Sequence, residues 1–304
     1  MARGESLTIY LPDGIIDAAR DGRHNFFARV MAAVRGQGWQ VDLCPDNLAE
    51  RVKAIARPGY ALTLMEDPPA RGLVCRHTYV GAFWHIEASP RRWEWPVARA
   101  PFAPDTIDPV EARAFADRWR RRLFKGAADA PRREGFVFVP LQGMLFDHRS
   151  FQAMSPLEML ESVLDEMPQS PVLATLHPKE TYTPAELQAL QSLTARYPRL
   201  RVETGAATEA LAACDLVVTQ NSGVAFNGYF FHKPAVLFAE ADFHHIAASV
   251  PRLGVAAAFR AVRDAAPDYD RYLKWFLADN AIAAGNDQAE AQILAALRRG
   301  AWPI

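Results

Sequence analysis

The sequence predicts an α/β protein built from two doubly wound, Rossmann-like domains, and three observations carry that expectation. Short apolar runs alternate with longer amphipathic ones, the pattern of strands and helices in turn. A capping residue followed by proline and, two residues on, an acid recurs at Asp108-Pro109-Val110-Glu111, Ser155-Pro156-Leu157-Glu158 and Thr183-Pro184-Ala185-Glu186, each the signature of a helix start. The chain has 304 residues, half of them hydrophobic, enough for two domains of ordinary size.

In chain order, 7–11, 40–44, 60–65 and 73–75 read as strands, and 25–35 as a helix ending at Gly36 and Gly38. From about 80 to 108 the pattern turns irregular and rich in Trp, Arg and Pro, and no sheet strand is assigned there. A helix should run from Pro109 to about Phe124. The polar, turn-rich stretch 125–134 then offers the domain boundary, dividing the chain into 1–128 and 129–304. Beyond it, strands at 136–141, 172–176, 200–203, 216–219 and 235–238 alternate with helices at 156–167, 184–197, 207–213 and 223–231. This regular alternation implies a parallel doubly wound sheet, with ligands at the carboxyl ends of its strands. In the tail, Tyr269, Tyr272, Leu273 and Phe276 share one helical face, and 288–299 is amphipathic and expected to pack back toward the first domain.

The formal net charge of −1 gives no global attraction to nucleic acid, and the run Arg118-Trp119-Arg120-Arg121-Arg122 reads as a solvated helix face. Cys44, Cys75 and Cys214 lie far apart, without metal-ligand spacing, as small thiols of a reducing compartment do. The first residues show no signal peptide and no window has membrane-spanning length, so a cytoplasmic protein is expected, with peripheral attachment to a membrane left open.

Segment 216–238 is the most informative. An apolar strand ends in Gln220-Asn221-Ser222-Gly223, a helix follows, and Lys233-Pro234 leads into a second strand. At such a junction the free N–H groups and the dipole of the helix favour a phosphate, Ser222 supplies a hydroxyl, and Gly223 permits close approach. An ordinary capped helix start explains the same residues. Other strand ends of this half are polar too: Gln142 and Asp147 follow the first strand, and His177-Pro178-Lys179-Glu180 follow the second.

Three ordered motifs resemble the bacterial capsule polysaccharide biosynthesis family, which includes the Kdo transferases of capsule and lipopolysaccharide assembly. They are Val139-Pro140-Leu141-Gln142 with Asp147, His177-Pro178-Lys179, and Thr219 to Val224 followed by His232-Lys233-Pro234-Ala235-Val236, and the resemblance spans roughly 135–285. It implies the two-domain GT-B glycosyltransferase architecture, with an acceptor domain followed by a nucleotide-sugar domain. By the same resemblance Asp147 is the nucleophile of a double displacement, although four residues separate it from Gln142 where the family pattern has three.

A CMP-linked sugar acid carries one phosphate and one carboxylate, so its site needs a few placed anion donors rather than a broad basic field. His177 fits donation to the phosphate and protonation of the leaving nucleotide, Lys179 adds charge, and Arg149 pairs with Asp147 or holds the donor carboxylate. Gln142, Gln220, Asn221, Ser222 and Gly223 complete the expected donor site. A packed His177, a solvated Lys179 and a turn-forming Asp147 are the competing readings. In the first half Arg23-His24-Asn25 lie in a loop after the first strand, Arg76-His77 and Trp84 to Glu87 form a polar and aromatic cluster, and Trp84, Glu87, Arg92 and Trp93 are candidates for an acceptor cleft, against core packing and surface charge. His244-His245 is not read as a metal motif, because neighbours on a helix point apart, and a metal-independent enzyme is expected.

The resulting expectation is a glycosyltransferase of surface polysaccharide assembly. It takes a nucleotide-sugar donor, CMP-Kdo or a similar sugar acid, with no separate cofactor, and a glycan or glycolipid acceptor. A UDP- or GDP-sugar enzyme is the first alternative, with Glu240 and Asp242 in position for a ribose. A catalytically silent GT-B-like protein that binds glycan or an assembly partner is the second.

Overall fold

A computed structural model of the chain describes residues 5–304; the expectation about a signal peptide falls in part on Met1–Gly4, outside those described. The chain forms two compact units, one of residues 1–96 and 276–304 and one of 97–275. The sequence places the division in 125–134, but that stretch is a loop inside the second unit. Arg132 and Glu134 donate their backbone N–H to Ala212 and Ala213, and the buried Lys233 donates Nζ to the Arg132 carbonyl. A polar, turn-rich composition suits a surface loop as well as a linker, and composition alone does not separate the two.

The first unit contains β1 (Ser6–Leu11), α1 (Asp13–Arg20), α2 (Asn25–Gly36), β2 (Gln40–Pro45), α3 (Leu48–Ala54), β3 (Tyr60–Leu64), β4 (Gly72–His77) and β5 (Phe83–Glu87). β1 to β4 are parallel in the order β2-β1-β3-β4, and β5 runs antiparallel to β4. β5 lies where no strand is expected. Its signal is the aromatic and β-branched run Phe83-Trp84-His85-Ile86 directly after Gly81, whose φ of +62° makes the turn.

One face of this sheet is closed by Phe26, Phe27, Val30 and Val34 of α2 against Leu7, Ile9, Leu62, Leu73 and Trp84. On the other face the small cluster of Tyr10, Ala54 and Ala61 lies under α3, which leaves Leu48, Val52 and Ile55 of and beside that helix exposed.

The second unit opens with the single turn α4 (Pro96–Arg99), astride the division, and α5 (Pro109–Phe124). Its sheet is built from β6 (Val137–Pro140), β7 (Val172–Leu176), β8 (Leu200–Thr204), β9 (Leu216–Thr219), β10 (Ala235–Leu237) and β11 (Ala248–Ser249). Between them run α6 (Pro156–Glu166), α7 (Pro184–Arg196), α8 (Ala207–Ala213) and α9 (Gly223–Phe230), with α10 (Val250–Leu253), α11 (Val255–Arg263) and α12 (Tyr269–Leu273) after β11.

All six strands are parallel in the order β8-β7-β6-β9-β10-β11, so the winding reverses between β6 and β9. Both faces are covered. Val137, Val139 and Val218 pack with residues of α6, α7 and α11, whereas Val217 faces Gly228 of α9. The reciprocal capping boxes at Ser155 and Thr183 are present, and Asp108 caps α5 at two N–H groups. Back in the first unit, β12 (Ile282–Ala283) pairs with β5, and Ile293 and Leu297 of α13 (Ala289–Arg299) join the core beside α2.

Candidate functional site

The crevice at the winding reversal is opened by a proline. β6 and β9 are registered only at Val137–Leu216 and Phe138–Val217. Pro140, two residues on and facing the same neighbour, has no N–H to continue the ladder, so the hydroxyl of Thr219 donates to its carbonyl instead, at 3.0 Å. The strands end there, and the loops after β6, β7, β9 and β10 gather at the carboxyl edge.

The loop after β6 is held on every side. Leu145, fully buried, donates its N–H to Glu186 Oε1 and accepts from Leu157 N–H. Glu186 is only 5% exposed; burial raises its carboxyl, but the N–H groups of Thr183 and Leu145 and the Thr183 hydroxyl outweigh it and hold the group below its ordinary value. The sequence reveals Glu186 as a cap, but its bond to Leu145 depends on a partner 41 residues away.

Farther along, Gln152 bridges to Ala239, Ala153 N–H donates to the Phe238 carbonyl, and Glu240 N–H donates to the Phe151 carbonyl. Gln220 donates Nε2 to the Met154 carbonyl at 3.0 Å, and Asn221 donates Nδ2 to the Glu240 carbonyl at 3.0 Å. A Cβ at Gly143 would stand 2.6 Å from Glu180 Oε2, so the β6 and β7 loops also touch. The four loops form one connected surface.

Within it several polar atoms are buried without a hydrogen-bond partner among the described residues: Gln142 Oε1, Arg149 Nε, Gln152 Nε2 and Gln220 Oε1. The Gln220 and Gln152 assignments follow from their other ends, since Gln220 Nε2 is spent on Met154 and Gln152 Oε1 on Arg149 N–H. Buried orphans of this kind are rare in folded chains and mark sites where a ligand or water completes the bonding.

Ser222 caps α9, its Oγ accepting from Val224 N–H at 3.3 Å while its own hydrogen stays free to donate. His177 is exposed; its Nδ1 accepts from Lys179 N–H at 3.2 Å, so in the neutral ring Nε2 carries the proton. Lys179 is exposed as well. The two expected phosphate contacts do not stand on neighbouring strands. β6 lies between β7 and β9, which separates the His177 and Ser222 loops by two strand spacings, roughly 10 Å.

Asp147 sits exposed on a turn closed by its N–H and the Met144 carbonyl, directly after the half-exposed Phe146. No ion pair joins it to Arg149 among the described residues. The Arg149 guanidinium lies over the Phe151 ring instead, 5.1 Å from its centre.

In the first unit Trp84 is a core residue rather than a sugar platform: it is 7% exposed and stacked on Phe26 with ring centres 4.2 Å apart. Arg92 donates to the His77 carbonyl and covers Tyr79 and Trp95, and Arg76 donates to the Pro90 carbonyl. Arg23 pairs with Asp21, and Asn25 donates to the Ala284 carbonyl. His244 and His245 lie in a 3-10 turn and stack at 4.3 Å rather than pointing apart as helix neighbours would. Among the described residues no group of three or more His, Cys, Asp or Glu is placed to hold a metal ion, and no helix is long and apolar enough to cross a membrane.

No protein-family model matches the chain, and no curated protein matches it. Among solved structures it is similar to the β-Kdo 2,7 transferase KpsC of Thermosulfurimonas dismutans, at 13% identity over 97% of this chain and 99% of that one, with a TM-score of 0.49. The β-Kdo 2,4 transferase KpsC of the same organism shows 11% identity over 90% of each chain and a TM-score of 0.47. A UDP-GlcNAc 2-epimerase of Methanocaldococcus jannaschii, in complex with UDP-GlcNAc and UDP, shows 11% identity over 97% of this chain and 99% of that one, with a TM-score of 0.39. Likenesses at this level carry no conclusion about activity.

Proposed function

We propose that the chain is a GT-B-like glycosyltransferase of surface polysaccharide assembly that takes its nucleotide-sugar donor at the carboxyl edge of the second unit's sheet. The observation that carries this reading is the buried, unpartnered Gln220 Oε1, two residues before the Ser222 cap of α9 at the winding reversal. A helix N-terminus favours an anion, and a buried carbonyl oxygen calls for a hydroxyl or amino donor. A sugar joined to a nucleotide through phosphate offers both.

In this reading Asn221, Ser222 and Gly223 take the phosphate, with His177 and Lys179 answering its charge from the other side of the β6 loop. Gln142 and Gln220 take hydroxyls, and Arg149 takes the carboxylate of a sugar acid such as that of CMP-Kdo. The charge is met by side chains and backbone, so the transfer runs without a metal. Asp147 attacks the anomeric carbon, the bond to the phosphate oxygen breaks with His177 protonating the leaving group, and a glycan or glycolipid hydroxyl then displaces the carboxylate. The enzyme acts in the cytoplasm.

A thermal-shift panel of CMP, UDP, GDP and their sugars tests the reading, because a ligand present at about 100 times its Kd stabilises by about 2.7 kcal/mol. Selective stabilisation by CMP and a CMP-sugar acid is expected. Preference for UDP or GDP would move the donor to the other nucleotides, with the half-buried Glu240, pinned beside Asn221, as the ribose partner. Binding without turnover would make the chain a silent relative.

A further inference from the structure

α5 carries a concentration of positive charge that nothing inside the second unit answers. Residues 113–125 contain six Arg and Lys against one acid, in a chain whose formal net charge is −1. The acid, Asp117, is bonded to Arg120, which is itself buried and also reaches the Phe230 carbonyl and Asp270. That leaves Arg113, Arg118, Arg121, Arg122 and Lys125, all exposed and none in an ion pair among the described residues.

Helical spacing gathers these cations. Arg118 is three residues from Arg121 and four from Arg122, and Lys125 is four from Arg121, so the four are neighbours on one face. Ala112, Phe115, Ala116 and Arg120 are the buried face. Arg113 stands two turns before Arg121, with Val110, 75% exposed, one turn further on. From Arg113 to Lys125 the row is about 18 Å long at about 1.5 Å per residue. Arg118 lies over the Phe115 ring at 5.6 Å and Arg122 over Trp119 at 5.1 Å, so their stems cover aromatic surface while the charged heads stay outside.

Like charges at these spacings repel and weaken a helix. The helix dipole offsets this for Arg121 and Arg122 in the last turn and for Lys125 at the cap, but not for Arg113 and Arg118. The neighbouring acids lie at the two ends: Glu111 has Lys274 at 3.8 Å, and Asp129 stands beside Gly126. A convex helix face encloses no discrete ligand. It suits an extended plane of negative charge.

We infer that α5 docks on an anionic lipid surface, with Arg113, Arg118, Arg121, Arg122 and Lys125 on lipid phosphates and Val110 entering between the headgroups. A bilayer offers a plane of phosphates together with an apolar layer, whereas a soluble polyanion offers charge alone. One exposed valine adds little apolar area, so the docking is electrostatic and reversible. It is independent of what the second unit's sheet binds.

Co-sedimentation of the full chain with vesicles tests this docking. Vesicles of equal parts phosphatidylcholine and phosphatidylglycerol should bind the chain, phosphatidylcholine alone should not, and added salt should release it. Arg118→Gln, Arg121→Gln and Arg122→Gln together should lower partitioning by about 100-fold, at about fivefold per charge. This triple variant should unfold at the wild-type temperature or above, because Gln suits a helix and the repulsion is relieved. A second triple variant, with the exposed Arg196, Arg201 and Arg263 each replaced by Gln, changes the net charge equally and should bind as the wild type does. Equal losses in the two triple variants would reduce the effect to net charge and overturn the α5 face, as would no binding to phosphatidylglycerol vesicles. Retention on an immobilised sulfated polysaccharide without binding to vesicles would assign the face to a glycan and overturn the lipid surface.

Discussion

The two sheets use the same elements and finish them differently. In the second unit the central strands of a six-stranded parallel sheet are buried on both faces, and Pro140 ends the β6–β9 ladder so that polar loops gather over the reversal. In the first, four parallel strands are continued by the antiparallel β5, and the edge beside β4 is lined by histidine and tryptophan. The contrast teaches a division of chemistry. The second edge offers anion donors with orphaned amides, whereas the first is closed by aromatic packing around Trp84.

The largest effect expected is on the second edge. Asp147→Asn should lower transfer by about 10³-fold or more while leaving nucleotide affinity nearly unchanged, because the amide keeps the shape but is a poor nucleophile. Normal turnover in a donor-transfer assay would remove Asp147 from the chemistry.

Each unit also contains one fully buried thiol, Cys75 in the first and Cys214 in the second, with burial pushing Cys75 up and Cys214 up to about 12. Their labelling rates report the opening of each unit, with the partly exposed Cys44 as a fast reference. Trp84→Ala should cost about 3–5 kcal/mol and speed Cys75 labelling, and substitution of Phe226, fully buried on α9, by Ala should cost about the same and speed Cys214 labelling. A substitution that leaves the thiol of its own unit as slow as before would show that the unit does not open as one body.

Glu186→Gln should cost about 1–2 kcal/mol, since it weakens both the α7 cap and the bond to Leu145, and it should weaken nucleotide binding as well. A loss of stability with full affinity would show that the β6 loop needs no anchor to bind.

This pairing marks where the sequence stops being legible. Thr183-Pro184-Ala185-Glu186 announces its helix because a capping box is local, but the hold of Glu186 on Leu145 is tertiary. β6, β7, β9 and β10 could be read in order because each is a largely apolar run between helices, whereas the two-residue β11 left no such run. β5 could not, because a strand in which His85 and Glu87 alternate with Trp84 and Ile86 resembles a surface segment until its partner β4 is known. Trp84 shows the same limit: an indole among charged residues reads as a sugar platform, but stacking on Phe26 makes it core. The candidate donor residues were legible as strand ends; that β6 separates the loops of His177 and Ser222 follows only from the strand order.

The smallest expected effect is a difference in acid sensitivity. In the second unit burial pushes His244 down and His245 down to about 4 from an ordinary 6.5. Between those values the unfolded chain binds more protons, so stability is complete above about pH 6.5 and falls as the pH drops toward 4. Lowering the pH from about 7.5 to about 5.5 should remove on the order of 1 kcal/mol for such a group, above the range where carboxylates protonate. In denaturant titrations followed by Cys214 labelling, His245→Gln should flatten this slope; an unchanged slope would place the titration elsewhere.

The account depends most on the crevice between β6 and β9, and calorimetric titration of the nucleotide chosen by the panel tests it most directly. Gln220→Leu fills the same buried space without the orphaned oxygen, and Ser222→Ala removes the hydroxyl at the α9 N-terminus. Both should weaken binding about tenfold or more, the effect of losing one hydrogen bond of about 1.4 kcal/mol. Equal affinity in the wild type and both variants would contradict the account and place the nucleotide elsewhere in the molecule.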